Sequence, residues 1–176
     1  MTLGFSQEIK GVKNFFVEKI WASLLSIDYD LYSDYLHPDG RPSLIKNASF
    51  YKDFTPKHHT IRQGVGRWRS GMDIHMVINN RTVDRFQFAP TIKCKSVQKI
   101  EIRYVGDYCF VEIDGYLLER IYLSYGYRTQ VIGNQNDFPK TYQLAINDGF
   151  ESIDDFFAYF NKDFTGTLIH WTDLKY

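Results

Sequence analysis

The chain has 176 residues, enough for one domain with a substantial core. Apolar residues make up 44% and charged residues 24%, which excludes a disordered chain. Lys and Arg total 21 and Asp and Glu total 21, which excludes a generally basic coat for nucleic acid or an anionic membrane; any such surface must be a local patch.

Aromatic residues are 17% of the chain, with 13 Tyr and 14 Phe, so a core or groove built from rings is expected. No apolar run reaches the roughly 18 residues of a membrane span. Met1 to Lys10 lacks a basic flank followed by an apolar stretch, so no signal peptide is expected there. Cys94 and Cys109 read as two reduced thiols, with a strand-to-strand disulfide as the alternative, and with reduced thiols a cytoplasmic setting is expected. Gly64-Val65-Gly66 is too short for a phosphate-binding loop.

Phe16, Val17, Ile20, Trp21, Leu24 and Leu25 recur at helical spacing and predict an amphipathic helix over about Asn14 to Leu25. Ser26 to Lys57 has no sustained period, carries Pro38, Gly40, Pro42 and Pro56, and reads as a long Tyr-rich excursion. From His59 onward the pattern is that of strands. Met72, Ile74, Met76 and Ile78 alternate with their neighbours, as do Ile92 with Cys94 and Ile100 with Ile102 and Tyr104. The phase breaks near Ser96-Val97, which predicts a bulge or bend. Gly106-Asp107 predicts a hairpin whose second strand, Tyr108 to Asp114, ends at Gly115.

Near the C-terminus, Ser152 with Asp155 three residues on is a helix-start arrangement. Ile153, Phe156, Phe157 and Phe160 follow at helical spacing. Gly166 is expected to break the chain, and Thr167 to Thr172 to form a closing strand. The sum is an α+β fold: bent antiparallel strands forming a small barrel, with helices packed outside.

The chemistry concentrates in Lys57-His58-His59-Thr60-Ile61-Arg62. Between Phe54 and Met72 stand Lys57, Arg62, Arg67, Arg69 and two histidines, with no carboxylate, a local field suited to an anionic or electron-rich ligand. Trp68 between Arg67 and Arg69 suits stacking on a base, though spacing alone favours a solvated loop that Trp68 anchors. Thr60 and Arg62 share a strand face; Lys57 joins them only if the chain turns around His58-His59. A partly desolvated lysine near Arg62 has its pKa lowered, and its neutral amine can take a proton from a hydroxyl or water. Thr60 would then be nucleophile or water-positioner, and Arg62 would steady a developing oxyanion.

The segment resembles the signature of the ASCH domain, a small relative of the PUA-like β-barrels, whose hallmark is Gly-x-Lys-x-x-Thr-x-Arg. Lys57-x-x-Thr60-x-Arg62 fits, with Thr55 in place of the leading Gly, and Trp68-Arg69-Ser70-Gly71 ahead of Met72 to Ile78 fits the segment that follows. Asn147-Asp148-Gly149-Phe150-Glu151-Ser152 with the Phe-rich helix is similar to the family's second region, as is Ile169-His170-Trp171.

The resemblance implies residues 57–176 as a PUA-like barrel, with 1–56 an N-terminal helix and Tyr-rich extension packed on it, as in a phage-like branch. It also implies RNA or a modified nucleoside as ligand; no cofactor or metal is expected. Some members deacetylate N-acetylated cytidine with a Lys, the motif Thr and an acidic residue; carried over, these are Lys57, Thr60 and Asp148. Another branch is associated with ribonuclease activity.

Other residues carry two readings each. Asn147-Asp148-Gly149 alone is a turn, and Glu151 is the second acidic candidate. Asn79 and Arg81 would bind a base edge or phosphate, or simply close a hairpin. Phe86 and Phe88 would wall a stacking site, but core packing fits them better, as it does Met72, Met76 and Trp171. His58 and His59 face opposite ways on a strand and lack a third metal ligand. A non-catalytic RNA-binding module and a partner-binding protein using Tyr29 to Tyr51 are the alternatives to an enzyme.

Overall fold

The computed structural model describes residues 1–28, 48–124, 128–131 and 140–176. In chain order the elements are β1 (Thr2–Gly4), β2 (Glu8–Ile9), β3 (Val12–Lys13), α1 (Phe16–Ile27) and a 3-10 turn (Ala48–Asp53). Then come β4 (His59–Gln63), β5 (Asp73–Ile78), β6 (Phe86–Gln87), β7 (Ile92–Lys93), β8 (Ser96–Val105), β9 (Tyr108–Ile113), β10 (Tyr116–Ser124) and β11 (Arg128–Val131). α2 (Lys140–Asn147), α3 (Ile153–Tyr159) and β12 (Phe164–His170) complete the chain. The excursion expected over Ser26 to Lys57 falls largely on 29–47, outside the described residues; its Tyr51 is buried against Trp21, ring centroids 6.0 Å apart.

The fold is α+β and strand-rich, but among the described residues the sheets do not close into a barrel. A six-stranded sheet runs β11-β10-β9-β8-β12-β4, and a second sheet is centred on β5 with β1 on one side and β6 and β7 on the other. Two events divide them. β1 pairs in parallel with β5, Leu3 opposite Met76, and so takes one edge of that strand. The chain then leaves β7, which pairs with β5, and enters β8 in the other sheet. The break in alternation expected near Ser96-Val97 is this change of sheet, located at Cys94-Lys95.

Each sheet has its own apolar core. α1 packs Ile20, Trp21 and Leu24 with Leu3, Ile74, Met76, Trp68 and Trp171. α2 and α3 pack Leu144, Phe156 and Phe157 on Ile100, Ile102, Val111 and Leu168. β12 is the wall between them: Ile169 belongs to the first cluster and Leu168 to the second. That is why its last five residues are all buried. Ser152 caps α3 as its spacing predicts, its Oγ accepting from the Asp155 N–H at 3.0 Å. Cys94 and Cys109 are free and buried.

Gly166 does not break the chain; it lies inside β12, opposite Gln63 and Ile100. A Cβ there would meet the Arg62 carbonyl oxygen and the Phe164 ring at 2.5 Å, so glycine permits the close approach of β12 to β4. Gly166→Ala is expected to destabilise by about 1–3 kcal/mol through overpacking, read as a lower urea midpoint.

Candidate functional site

β4 is an edge strand of the six-stranded sheet, paired among the described residues with β12 alone. Its outward N–H groups need partners. The Ile61 N–H finds one in the Asp148 carboxylate, Oδ1 at 3.1 Å. Asp148 is delivered by the end of α2: its N–H still bonds the Leu144 carbonyl, while Gly149, at φ +92, turns the chain away. A Cβ on Gly149 would crowd Lys57 Cδ and the Phe16 ring at 3.1 Å, so the turn residue also makes room for the lysine.

Lys57 enters from the other side. Its N–H bonds the Lys19 carbonyl of α1 at 2.9 Å, and the next N–H, of His58, bonds the Asn147 carbonyl at 2.8 Å. These two bonds supply the turn that brings Lys57 into line with Thr60 and Arg62. The Lys57 ammonium is buried, sits 2.8 Å from Asp148 Oδ1, and also donates to the Asp148 carbonyl. It thereby satisfies an orphan acceptor at a helix C-terminus as well as pairing the carboxylate. The Phe16 ring covers it, centroid 4.6 Å away.

Lys57, Thr60, Arg62 and Asp148 line one cleft of ≈ 460 Å³. Aromatic walls come from Phe5, Phe16, Phe150, Tyr159 and Phe160, and the β2–β3 hairpin contributes Glu8 and Ile9. Arg62 is held by the Gly4 carbonyl at 2.7 Å and lies over the Phe5 ring. No hydrogen bond joins the Thr60 hydroxyl to Lys57 or Asp148 among the described residues. Behind Asp148 lies a second buried layer. His59 Nδ1 is 3.5 Å from Asp148 Oδ1, and His59 Nε2 is 2.8 Å from the Tyr176 hydroxyl. His170 packs beside them, ring centroids 5.1 Å from His59.

Loss of hydration lowers Lys57 to about 8; Asp148 opposes the shift, and Arg62 and Lys19 reinforce it. Burial alone would raise Asp148, but Lys57 and His59 outweigh it and hold the carboxylate below its ordinary value. Burial lowers His59 and takes His170 down to about 3, so both imidazoles are neutral at pH 7. The site is therefore an ion pair whose amine is far easier to deprotonate than an ordinary lysine, next to a hydroxyl and a guanidinium. It can exchange protons near neutral pH and stabilise a developing negative charge.

The remaining residues expected at a ligand are elsewhere. Trp68 is buried in the α1 core and offers no stacking face. Arg67 and Arg69 are exposed on the segment after β4, and Asn79 and Arg81 are exposed in the turn after β5; none of them lines the cleft. The turn reading holds for Asn79, whose side chain donates to the Asp84 carbonyl. Glu151 pairs with Lys19 instead of joining Lys57. His58 bonds Ser23, and no cluster of three metal-ligating side chains exists among the described residues. Phe88, Met76 and Trp171 are core residues.

Sequence reasoning missed the N-terminal wall, because nothing in Phe5 to Lys10 signals that β1 docks on β5. It also missed the His59, His170 and Tyr176 layer, which pairing across β4 and β12 creates. No helix among the described residues is long and apolar enough to cross a membrane. Comparison of the chain with protein-family models, with curated proteins and with solved structures finds no match.

Proposed function

We propose that this chain is a PUA-like protein of ASCH type, acting in the cytoplasm, whose cleft takes a modified nucleoside or an RNA end. Its reaction is the hydrolysis of an exocyclic amide such as that of N-acetylated cytidine. The observation that carries the reading is the convergence of Lys57, Thr60, Arg62 and Asp148 on one aromatic-walled cleft of ≈ 460 Å³, a volume within the usual range for small-molecule sites.

Thr60 bonds neither member of the ion pair, so it is free to orient a water. Neutral Lys57 takes a proton from that water as its oxygen adds to the acyl carbon. Arg62 stabilises the oxyanion. The C–N bond then breaks, the departing amine nitrogen receives the proton held by Lys57, and the acyl group leaves as a carboxylic acid. Asp148 anchors the lysine and keeps its proton exchange directed at the cleft.

The test offers purified protein N-acetylated cytidine, other N-acylated nucleosides and short RNAs, with Lys57→Met beside it. Release of acetate by the wild type and its loss in the variant support the reading. Wild type and variant equally inactive on every substrate would overturn it. Salt-sensitive RNA binding without turnover would favour a binding module instead.

A further inference from the structure

The layer behind Asp148 has a direction. Asn147 can only donate from its Nδ2, and it does so to the Tyr176 hydroxyl at 2.9 Å. With that bond accepted, the phenol's own proton is left to donate, and His59 Nε2, 2.8 Å away, is within its reach. An imidazole whose Nε2 accepts carries its proton on Nδ1 when neutral. His59 Nδ1 has no hydrogen-bond partner, and the nearest charged oxygen to it is Asp148 Oδ1 at 3.5 Å. The distance is too long for a hydrogen bond, but an N–H dipole there favours a carboxylate and a lone pair there opposes one. The Lys57 ammonium, the Ile61 N–H and His59 all converge on Oδ1, and none of these contacts engages Oδ2.

We propose that Asn147, Tyr176 and His59 form a one-way donor chain that fixes His59 as its Nδ1–H tautomer and aims that N–H dipole at Asp148 Oδ1, the oxygen that Lys57 and the Ile61 N–H already hold, leaving Oδ2 for the cleft. His59 and Tyr176 are thus positioning residues, acting through Asp148 on Lys57. The inference rests on the reading of the cleft as a Lys57–Asp148 site. Lys57 faces Asp148 at the end of α2, Arg62 on β4 and Lys19 on α1. His59 faces Asp148, Lys57, His58, His170 of β12 and Tyr176. Burial keeps the Tyr176 phenol protonated well above neutral pH, so it remains a donor.

The experiment reads the imidazole nitrogens directly. In 15N-labelled full-length protein between pH 6 and 8, His59 is expected to show a protonated Nδ1 and an unprotonated Nε2. Tyr176→Phe removes the donor to Nε2. The Nδ1–H form then keeps only its 3.5 Å approach to Asp148, so its share is expected to fall below that of the wild type, and the fraction with Nε2–H places a lone pair toward Asp148 and Lys57 and raises the Lys57 titration midpoint. A wild-type His59 protonated on Nε2 overturns the proposal, and that measurement needs no variant. A folded Tyr176→Phe protein with unchanged tautomer and unchanged Lys57 titration also overturns it. If N-acetylated nucleosides are not hydrolysed while the tautomer and its switch are as expected, the amidase reading falls and the donor chain stands.

Discussion

Asp148→Ala is expected to lower folding stability by about 3–5 kcal/mol, the cost of leaving a buried charge without its partner. The Lys57 side chain is 1% exposed and cannot recover its hydration without moving. The same substitution strips the outward Ile61 N–H of its acceptor and exposes His59 to an unpaired ammonium. Lys57→Met behaves differently. It keeps the volume under the Phe16 ring, removes the charge, and leaves Asp148 with the Ile61 N–H and His59. Its cost is expected to be well below that of Asp148→Ala, and adding it to Asp148→Ala is expected to recover part of the loss. Urea unfolding of the two single variants and the double variant checks the cycle. An Asp148→Ala loss below about 1 kcal/mol, the scale of an exposed pair, would mean that the pair is solvated and the site is not as described.

On the proposed reading, with Lys57 as a base that acts only when neutral, amide hydrolysis is expected to rise with pH through about 8. Lys57→Met is expected to remove this limb and to lower the rate by about 10²- to 10⁴-fold, the usual contribution of a positioned acid or base. The same group sets a trend in stability. Its folded pKa, about 8, lies below the 10.5 of an ordinary lysine, so between these values the unfolded chain binds more protons than the folded one. Stability contributed by this group therefore increases as pH rises from about 8 toward 10.5, and is reduced at lower pH, where burying the charged amine opposes folding. Denaturant midpoints across that interval should climb in the wild type and lose this component in Lys57→Met. A flat rate profile through pH 8 in an active enzyme would remove Lys57 from the role of base.

Local pattern was enough to reveal much of this protein. Helical spacing located α1 within two residues at each end, because Ile20, Trp21 and Leu24 must share one buried face. Two-residue alternation located β5 and the β8–β9 hairpin, and Ser152 marked the start of α3. The charge pattern singled out Lys57, Arg62, Arg67 and Arg69, of which Lys57 and Arg62 line the cleft; Thr60, read as sharing a strand face with Arg62, and Asp148, suggested by similarity to a known motif, line it too.

What pattern could not reach is whatever depends on contacts between distant parts of the chain. Gly166 carries no mark separating a break from a close strand approach; only the Arg62 carbonyl facing it decides. Trp68 between two arginines has the look of a nucleic-acid stacker, yet it is drawn into the α1 core because burying an indole gains more than exposing it. Among the described residues the sheets do not close into a barrel, and β1 pairs in parallel with β5 across 73 residues of sequence, which no local periodicity encodes. The pairing of Lys57 with Asp148, 91 residues apart, and the His59 and Tyr176 layer behind it arise for the same reason. Sequence determines which side chains seek burial or a partner, and the tertiary structure alone decides which partner is within reach.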